Sequence, residues 1–160
     1  MKKKLLTLLV ALTVSAAANA QFEQGKMYAG ASVSGLDLSF NSTNKLSLGV
    51  RAKAGYFILD DWMLTADVDY QKQHDVPHTL SVGAGGRYYI EQNGIYIGAS
   101  LKYVHYNKTH DDLMPSVQVG YAYFISRTVT IEPEVYYDQS TQSHSKYSGV
   151  GFRLGFGIYL

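Results

Sequence analysis

The sequence predicts an all-β chain folded as an antiparallel, up-and-down β-barrel of about eight strands. Three observations carry that prediction. From Lys26 to Leu160, apolar residues alternate with small, polar or charged ones in segment after segment. Successive side chains on a strand point to opposite faces, so each such segment has one apolar and one polar face. Short polar stretches separate the segments, as turns require. A weak repeat of about 35 residues underlies them. Tyr56-Phe57-Ile58, Tyr88-Tyr89-Ile90 and Tyr123-Phe124-Ile125 each precede a tight turn and a new alternation.

In chain order, strands are expected near 26–40, 45–58, 62–72, 78–91, 95–107, 113–125, 129–138 and 147–160. The second is the clearest, with every other residue apolar from Leu46 to Tyr56. Leu59-Asp60-Asp61 turns it into the third. Pairing these two about Asp60 sets Arg51 against Asp69 and Lys53 against Asp67 on one face. The other face then pairs Val50 with Tyr70, Ala52 with Val68, Ala54 with Ala66 and Tyr56 with Leu64. One register thus matches charge to charge and apolar to apolar. Asn93-Gly94 is a two-residue hairpin signal, since both residue types accept positive φ. It predicts that Ile90 meets Ile97, Tyr88 meets Ala99 and Arg87 meets Ser100. Longer polar connections fall at Asn41–Asn44, Gln73–Pro77, Lys108–Asp112 and Gln139–Lys146. Alternation of short and longer connections fits short periplasmic turns and outer loops. Pro133 falls inside the seventh strand, where it removes a ladder hydrogen bond, and a local bulge is expected there.

The first residues read differently. Met1-Lys2-Lys3-Lys4 is a basic start, Leu5 to Ala18 an apolar run too short for a helical span, and Ala18-Asn19-Ala20 a small-x-small cleavage site. Residues 1–20 are therefore expected to be a signal peptide cut after Ala20, and residues 21–160 the barrel. The net charge of +1 falls to about −2 when the three leader lysines leave. No basic excess remains for nucleic acid. The chain has no Cys, which excludes disulfides, thiol chemistry and a lipid-anchored N-terminal Cys.

Three features turn the apolar face outward, toward lipid, and make the barrel transmembrane. Small residues (Gly49, Gly55, Gly83, Gly85, Gly98, Ser100, Gly120, Gly151, Gly155 and Gly157) crowd the polar face, as the narrow interior of an eight-stranded barrel demands. Arg51, Lys53, Arg87, Lys102 and Arg153 share that face with Asp67, Asp69, Glu132 and Glu134, a near-balanced set suited to a closed lumen. The apolar face carries aromatics at both strand ends. Tyr56, Trp62, Tyr88, Tyr121 and Tyr123 lie near the short turns, and Phe40, Tyr70, Tyr103 and Tyr137 near the longer loops. Two aromatic girdles around an aliphatic band belong to outer-membrane barrels. The alternative is a soluble, lipocalin-like barrel that holds a hydrophobic ligand, with the faces reversed.

With its signal, about eight strands, aromatic turn units and a closing run from Gly149 to Leu160, the chain resembles the small outer-membrane β-barrel superfamily. That porin-like superfamily includes the barrels of outer membrane protein A and outer membrane protein X. The resemblance covers the whole mature chain and rests on patterns, so it implies fold before function. It also implies that the last strand addresses the barrel-insertion machinery. The family's terminal residue is usually aromatic, and this chain departs from it by ending Tyr159-Leu160.

Candidate chemistry is sparse. His74, His78, His105, His110 and His144 gather toward the outer end, with Ser143, Ser145, Asp75, Asp111 and Asp112 nearby. Some barrels of this size act on lipid A as deacylases or acyltransferases, which needs a Ser, a His and a carboxylate within hydrogen-bond reach. No deacylase motif is present, and the histidine spacing is not a recognised metal-ligand pattern. The expected role is structural in the envelope, without catalysis or cofactor. The barrel is expected to be a monomer among outer-membrane lipid and lipopolysaccharide, with a lumen crossed by salt bridges that conducts at most weakly.

Overall fold

A computed structural model describes residues 22–36, 47–73, 76–90, 93–106, 110–141 and 148–160. The predicted signal peptide and Phe40 lie outside the described residues. The alternating segments form β1 (Met27–Leu36), β2 (Ser47–Leu59), β3 (Trp62–Gln73), β4 (Val76–Tyr89), β5 (Ile95–Tyr106), β6 (His110–Tyr121), β7 (Tyr123–Phe124), β8 (Val129–Asp138) and β9 (Gly149–Tyr159). Each pairs antiparallel with its neighbour, and β1 pairs with β9, so the sheet closes on itself. β6 and β7 both pair with β8 and are two parts of one strand, which makes eight around the ring. Even the last residue is tied in, because Leu160 and Met27 exchange backbone hydrogen bonds of 2.9 and 3.0 Å.

The β2–β3 register is the one that alternation predicts, with Arg51 opposite Asp69, Lys53 opposite Asp67 and Tyr56 opposite Leu64. Asp61 makes the turn with φ 64, a left-handed conformation that Asp tolerates better than most residues.

The β4–β5 hairpin corrects the sequence reading. Tyr88 faces Ile97, Arg87 faces Gly98 and Gly86 faces Ala99, a slip of two residues from the predicted pairing. Ile90 N–H bonds the Ile95 carbonyl, so four residues form the loop. Asn93 accepts from Ile95 N–H through its side chain, and only Gly94 of the pair takes positive φ. The side-chain hydrogen bond competes with the two-residue turn and wins. A slip of two keeps every side chain on its predicted face.

Pro133 needs no bulge. β8 keeps unbroken register with β9 through Pro133–Leu154. The pairing with the sixth strand is interrupted instead. It stops at Gly120–Glu134 and resumes at Tyr123–Ile131 in the same count, so the ladder skips the two positions opposite Pro133 and Glu132. A missing N–H costs one ladder bond, and that is where the predicted continuous strand 113–125 breaks into β6 and β7.

Two connections are shorter than predicted. Gln73 pairs with Val76, and Tyr106 with His110, because the ladder continues past the last clear alternation.

The faces separate cleanly. Val50, Leu64, Val82, Leu101, Val117, Val135 and Phe156 point outward and are about half exposed, while Arg51, Lys53, Arg87, Glu132 and Glu134 are buried inside. A lipocalin-like binder needs the reverse. One end of the barrel, here called the terminal end, carries the segment that begins at Phe22, the last residue Leu160 and the turns after β2, β4 and β7. The opposite end is the loop end.

Candidate functional site: the charged lumen and its aromatic floor

Strand alternation delivers the charges to the axis. Glu132 and Glu134 are two apart on β8, so both point inward. Arg87 on β4 spans the lumen to reach both, at 2.9 Å to Glu132 and 3.0 Å to Glu134. Arg153 on β9 also bonds Glu134, and Lys53 on β2 stands 3.8 Å from it. Tyrosine hydroxyls complete the layer. Tyr28 and Tyr159 donate to Glu132 at 2.9 and 3.0 Å, and Tyr96 donates to Glu134 at 3.0 Å. The Arg87 guanidinium lies 4.1 Å from the centre of the Tyr96 ring, and Arg153 the same distance from that of Tyr136. Charge, hydrogen bond and ring face together offset the burial of these cations, with Arg87 Nε and Arg153 Nε left without a hydrogen bond among the described residues.

Lumen glycines make this packing possible. A Cβ on Gly120 would strike the Tyr96 ring and the Pro133 carbonyl, and one on Gly151 would strike the Tyr136 ring. The void beside the charge layer is about 10 Å³, space for about one water molecule.

Nearer the loop end, Arg51 holds Asp69 through Nε and Nη2 at 3.2 and 2.9 Å. Lys53 does not meet Asp67, although the two sit opposite in register. Its ammonium reaches across to Glu134, and Asp67 lies 3.7 Å from Arg51 instead. A long flexible side chain in a narrow barrel chooses among partners on several strands, so pairing across one ladder does not decide its contact. Both Asp67 carboxylate oxygens are buried without a hydrogen bond among the described residues. Lys102 takes Asp138 at 2.5 and 2.6 Å, a partner the sequence reading left out. Asp138 continues the inward series of Glu132 and Glu134 at the end of β8, which is the signal that could have found it.

The second missed feature is a floor of rings at the terminal end. Phe22, Phe57, Tyr89 and Tyr159 are fully or almost fully buried, with Phe124 packed against them. The repeated aromatic pairs explain it. In Tyr56-Phe57, Tyr88-Tyr89 and Tyr123-Phe124 the first ring faces out and the second faces in. One motif therefore builds both the girdle and the floor. Outside, Trp62 and Tyr88 pack with ring centres 4.9 Å apart, and Tyr121 and Tyr123 lie 6.4 Å apart. Tyr70, Tyr103 and Tyr137 face outward toward the loop end.

A transmembrane face outside, a filled polar lumen and eight antiparallel strands are the anatomy of an outer-membrane barrel. Residues 6–160 match the family described as the outer membrane protein beta-barrel domain. The chain belongs to that family. Its location is the outer membrane. The N-terminal β-barrel domain of Pseudomonas aeruginosa OprF is similar, with TM-score 0.66 and 16% identity over 86% of this chain and 98% of that one. Yersinia pestis Ail, in a phospholipid bilayer nanodisc, gives 0.59 and 13% over 86% and 100%. Neisserial surface protein A gives 0.55 and 18% over 84% and 95%. At such identities the likeness is one of fold. No curated protein matches the chain.

His74, Asp75, Ser143, His144 and Ser145 lie outside the described residues, as do the side chains of His78, His110 and Asp111. His105 is on the outer face of β5. Asp112 points inward, where Ser140 and Thr141 hydroxyls donate to it at 2.5 and 2.8 Å.

Proposed function

We propose that this outer-membrane barrel serves the envelope as a closed, monomeric structural element without catalysis. Outer-membrane lipid and lipopolysaccharide cover its apolar face, and its last strand addresses the barrel-insertion machinery. The carrying observation is the Glu132–Glu134 layer, which draws bonds from Arg87, Arg153, Tyr28, Tyr96 and Tyr159 and leaves a void of about 10 Å³. An eight-stranded barrel filled in this way has no wide channel. The reading is tested in planar lipid bilayers with the refolded chain. Silence, or brief small current steps, is expected. Long-lived steps of porin size would reject a closed lumen.

The lipid A-modifying alternative finds less support. His105 and Asp112 point to opposite faces, and the hydroxyls of Ser140 and Thr141 are committed to Asp112. Lipid A profiles from cells that overproduce the protein are expected to stay unchanged. A new or missing acyl chain would restore the enzyme reading.

A further inference from the structure

The floor of the lumen contains one ring that no strand supplies. Phe22 precedes β1 and is wholly buried. It stacks on Tyr89 with centres 4.1 Å apart and planes 17° apart, and meets Tyr159 edge-on at 5.5 Å and Phe124 at 5.7 Å. The backbone that carries it crosses the terminal mouth. Asp61 N–H bonds the Phe22 carbonyl at 2.8 Å, Gln24 N–H bonds Asp60 Oδ1 at 2.9 Å, and Gly25 N–H bonds the Phe57 carbonyl at 2.9 Å. Glu23, Gln24 and Gly25 are exposed. Gly25 has φ 90, so the strap turns at a residue suited to that conformation. A Cβ at Gly25 would meet nothing within 4 Å, so backbone conformation rather than space selects glycine there.

The other rings of the floor are fixed on β2, β4, β7 and β9. Phe22 is held by a few hydrogen bonds and one buried side chain, so it is the part of the floor that can leave without breaking the ring of strands. Toward the loop end, the Asp69 and Asp138 side chains keep 18% and 19% of their exposure.

We infer that the segment from Phe22 to Lys26 is a built-in stopper: Phe22 closes the terminal end of the lumen, and its release opens a path from that end to the Glu132–Glu134 layer.

Because the chain has no Cys, single thiols report access directly. Thr65→Cys places one inside the lumen toward the terminal end, and Ser81→Cys one nearer the loop end, opposite Asp69. Each is combined with Phe22→Ala and, as a second variant, with a refolded chain that starts at Lys26. Heat-modifiable gel mobility verifies folding, and a water-soluble cationic thiol reagent supplies the rate. Removing Phe22 is expected to speed labelling of Thr65→Cys roughly tenfold or more while leaving Ser81→Cys unchanged, because access follows the open population at each site. Equal acceleration at both sites would mean general loosening, and no acceleration at either would mean that the floor is closed without Phe22. Failure of both stopper-free chains to fold would make the segment a structural staple. Each of these three results overturns the inference. The intact protein's conductance tests the closed-lumen reading separately.

Discussion

At the residue scale, Glu134 carries the greatest consequence. It is 3% exposed and meets Arg87, Arg153, Lys53 and Tyr96. Glu134→Gln keeps the shape and removes the carboxylate that Arg87, Arg153 and Lys53 share, of which Arg87 also bonds Glu132. Removing one member of a buried ionic network costs about 3–5 kcal/mol, and urea titration in lipid vesicles should read a loss of that size. Two charge swaps separate the register from the contact. Arg51→Asp with Asp69→Arg should recover stability lost in either single variant. Lys53→Asp with Asp67→Lys should not, because Lys53 is spent on Glu134. Matching rescue in both would return Lys53 to Asp67. Asp61 gives a pH-dependent case outside the strands. Burial, then the neighbouring Asp60, raises its carboxyl pKa. The folded state therefore resists ionising it, so this group weakens the fold at neutral pH and ceases to do so as pH falls through the carboxyl range. Asp61→Asn, which also tolerates φ 64, should be slightly more stable at pH 7, with the gain vanishing in acid. A gain that persists below the carboxyl range would assign the effect to backbone conformation.

At the scale of elements, alternation made strand identity and facing legible, and matched charges made the β2–β3 register legible. What stayed hidden were choices among local competitors. Asn93 can serve a two-residue turn or accept a side-chain bond, and nothing in Asn93-Gly94 says which. The aromatic pairs were visible as a repeat, but their division into girdle and floor needs the second ring of each to be followed inward. Pro133 was visible as a defect. Its remedy was not, because the ladder on either side of β8 could have yielded. The structure breaks the β6 side only, so restoring the donor should repair it. Pro133→Val places a β-branched residue on the outward face and offers N–H to the Tyr121 carbonyl. A gain of about 1 kcal/mol is expected, with a newly protected amide at position 133 in hydrogen exchange. No protection there would show that the break has another origin.

At the scale of the molecule, the same sequence could have been closed with either face inward, and the distribution of bulk decided between them. Glycine on the polar face and rings at both ends of the apolar face fit only a narrow, filled lumen within lipid. On β3 the outward residues run Trp62, Leu64, Ala66, Val68 and Tyr70. Twelve residues at about 3.3 Å each span about 40 Å, which a tilt of about 40° brings close to the apolar thickness of a bilayer. Ala66 then lies at mid-depth and Trp62 at the interface. Ala66→Arg should cost about 2–4 kcal/mol in lipid vesicles, and Trp62→Arg should carry a charge penalty of only about 0–1 kcal/mol beyond the lost ring. The comparison is sharper than either value alone. A water-facing surface would accept Arg at Ala66 within about 0.5 kcal/mol and would register the ring loss at Trp62 as the larger effect. The order of the two costs therefore reports which medium the apolar face meets.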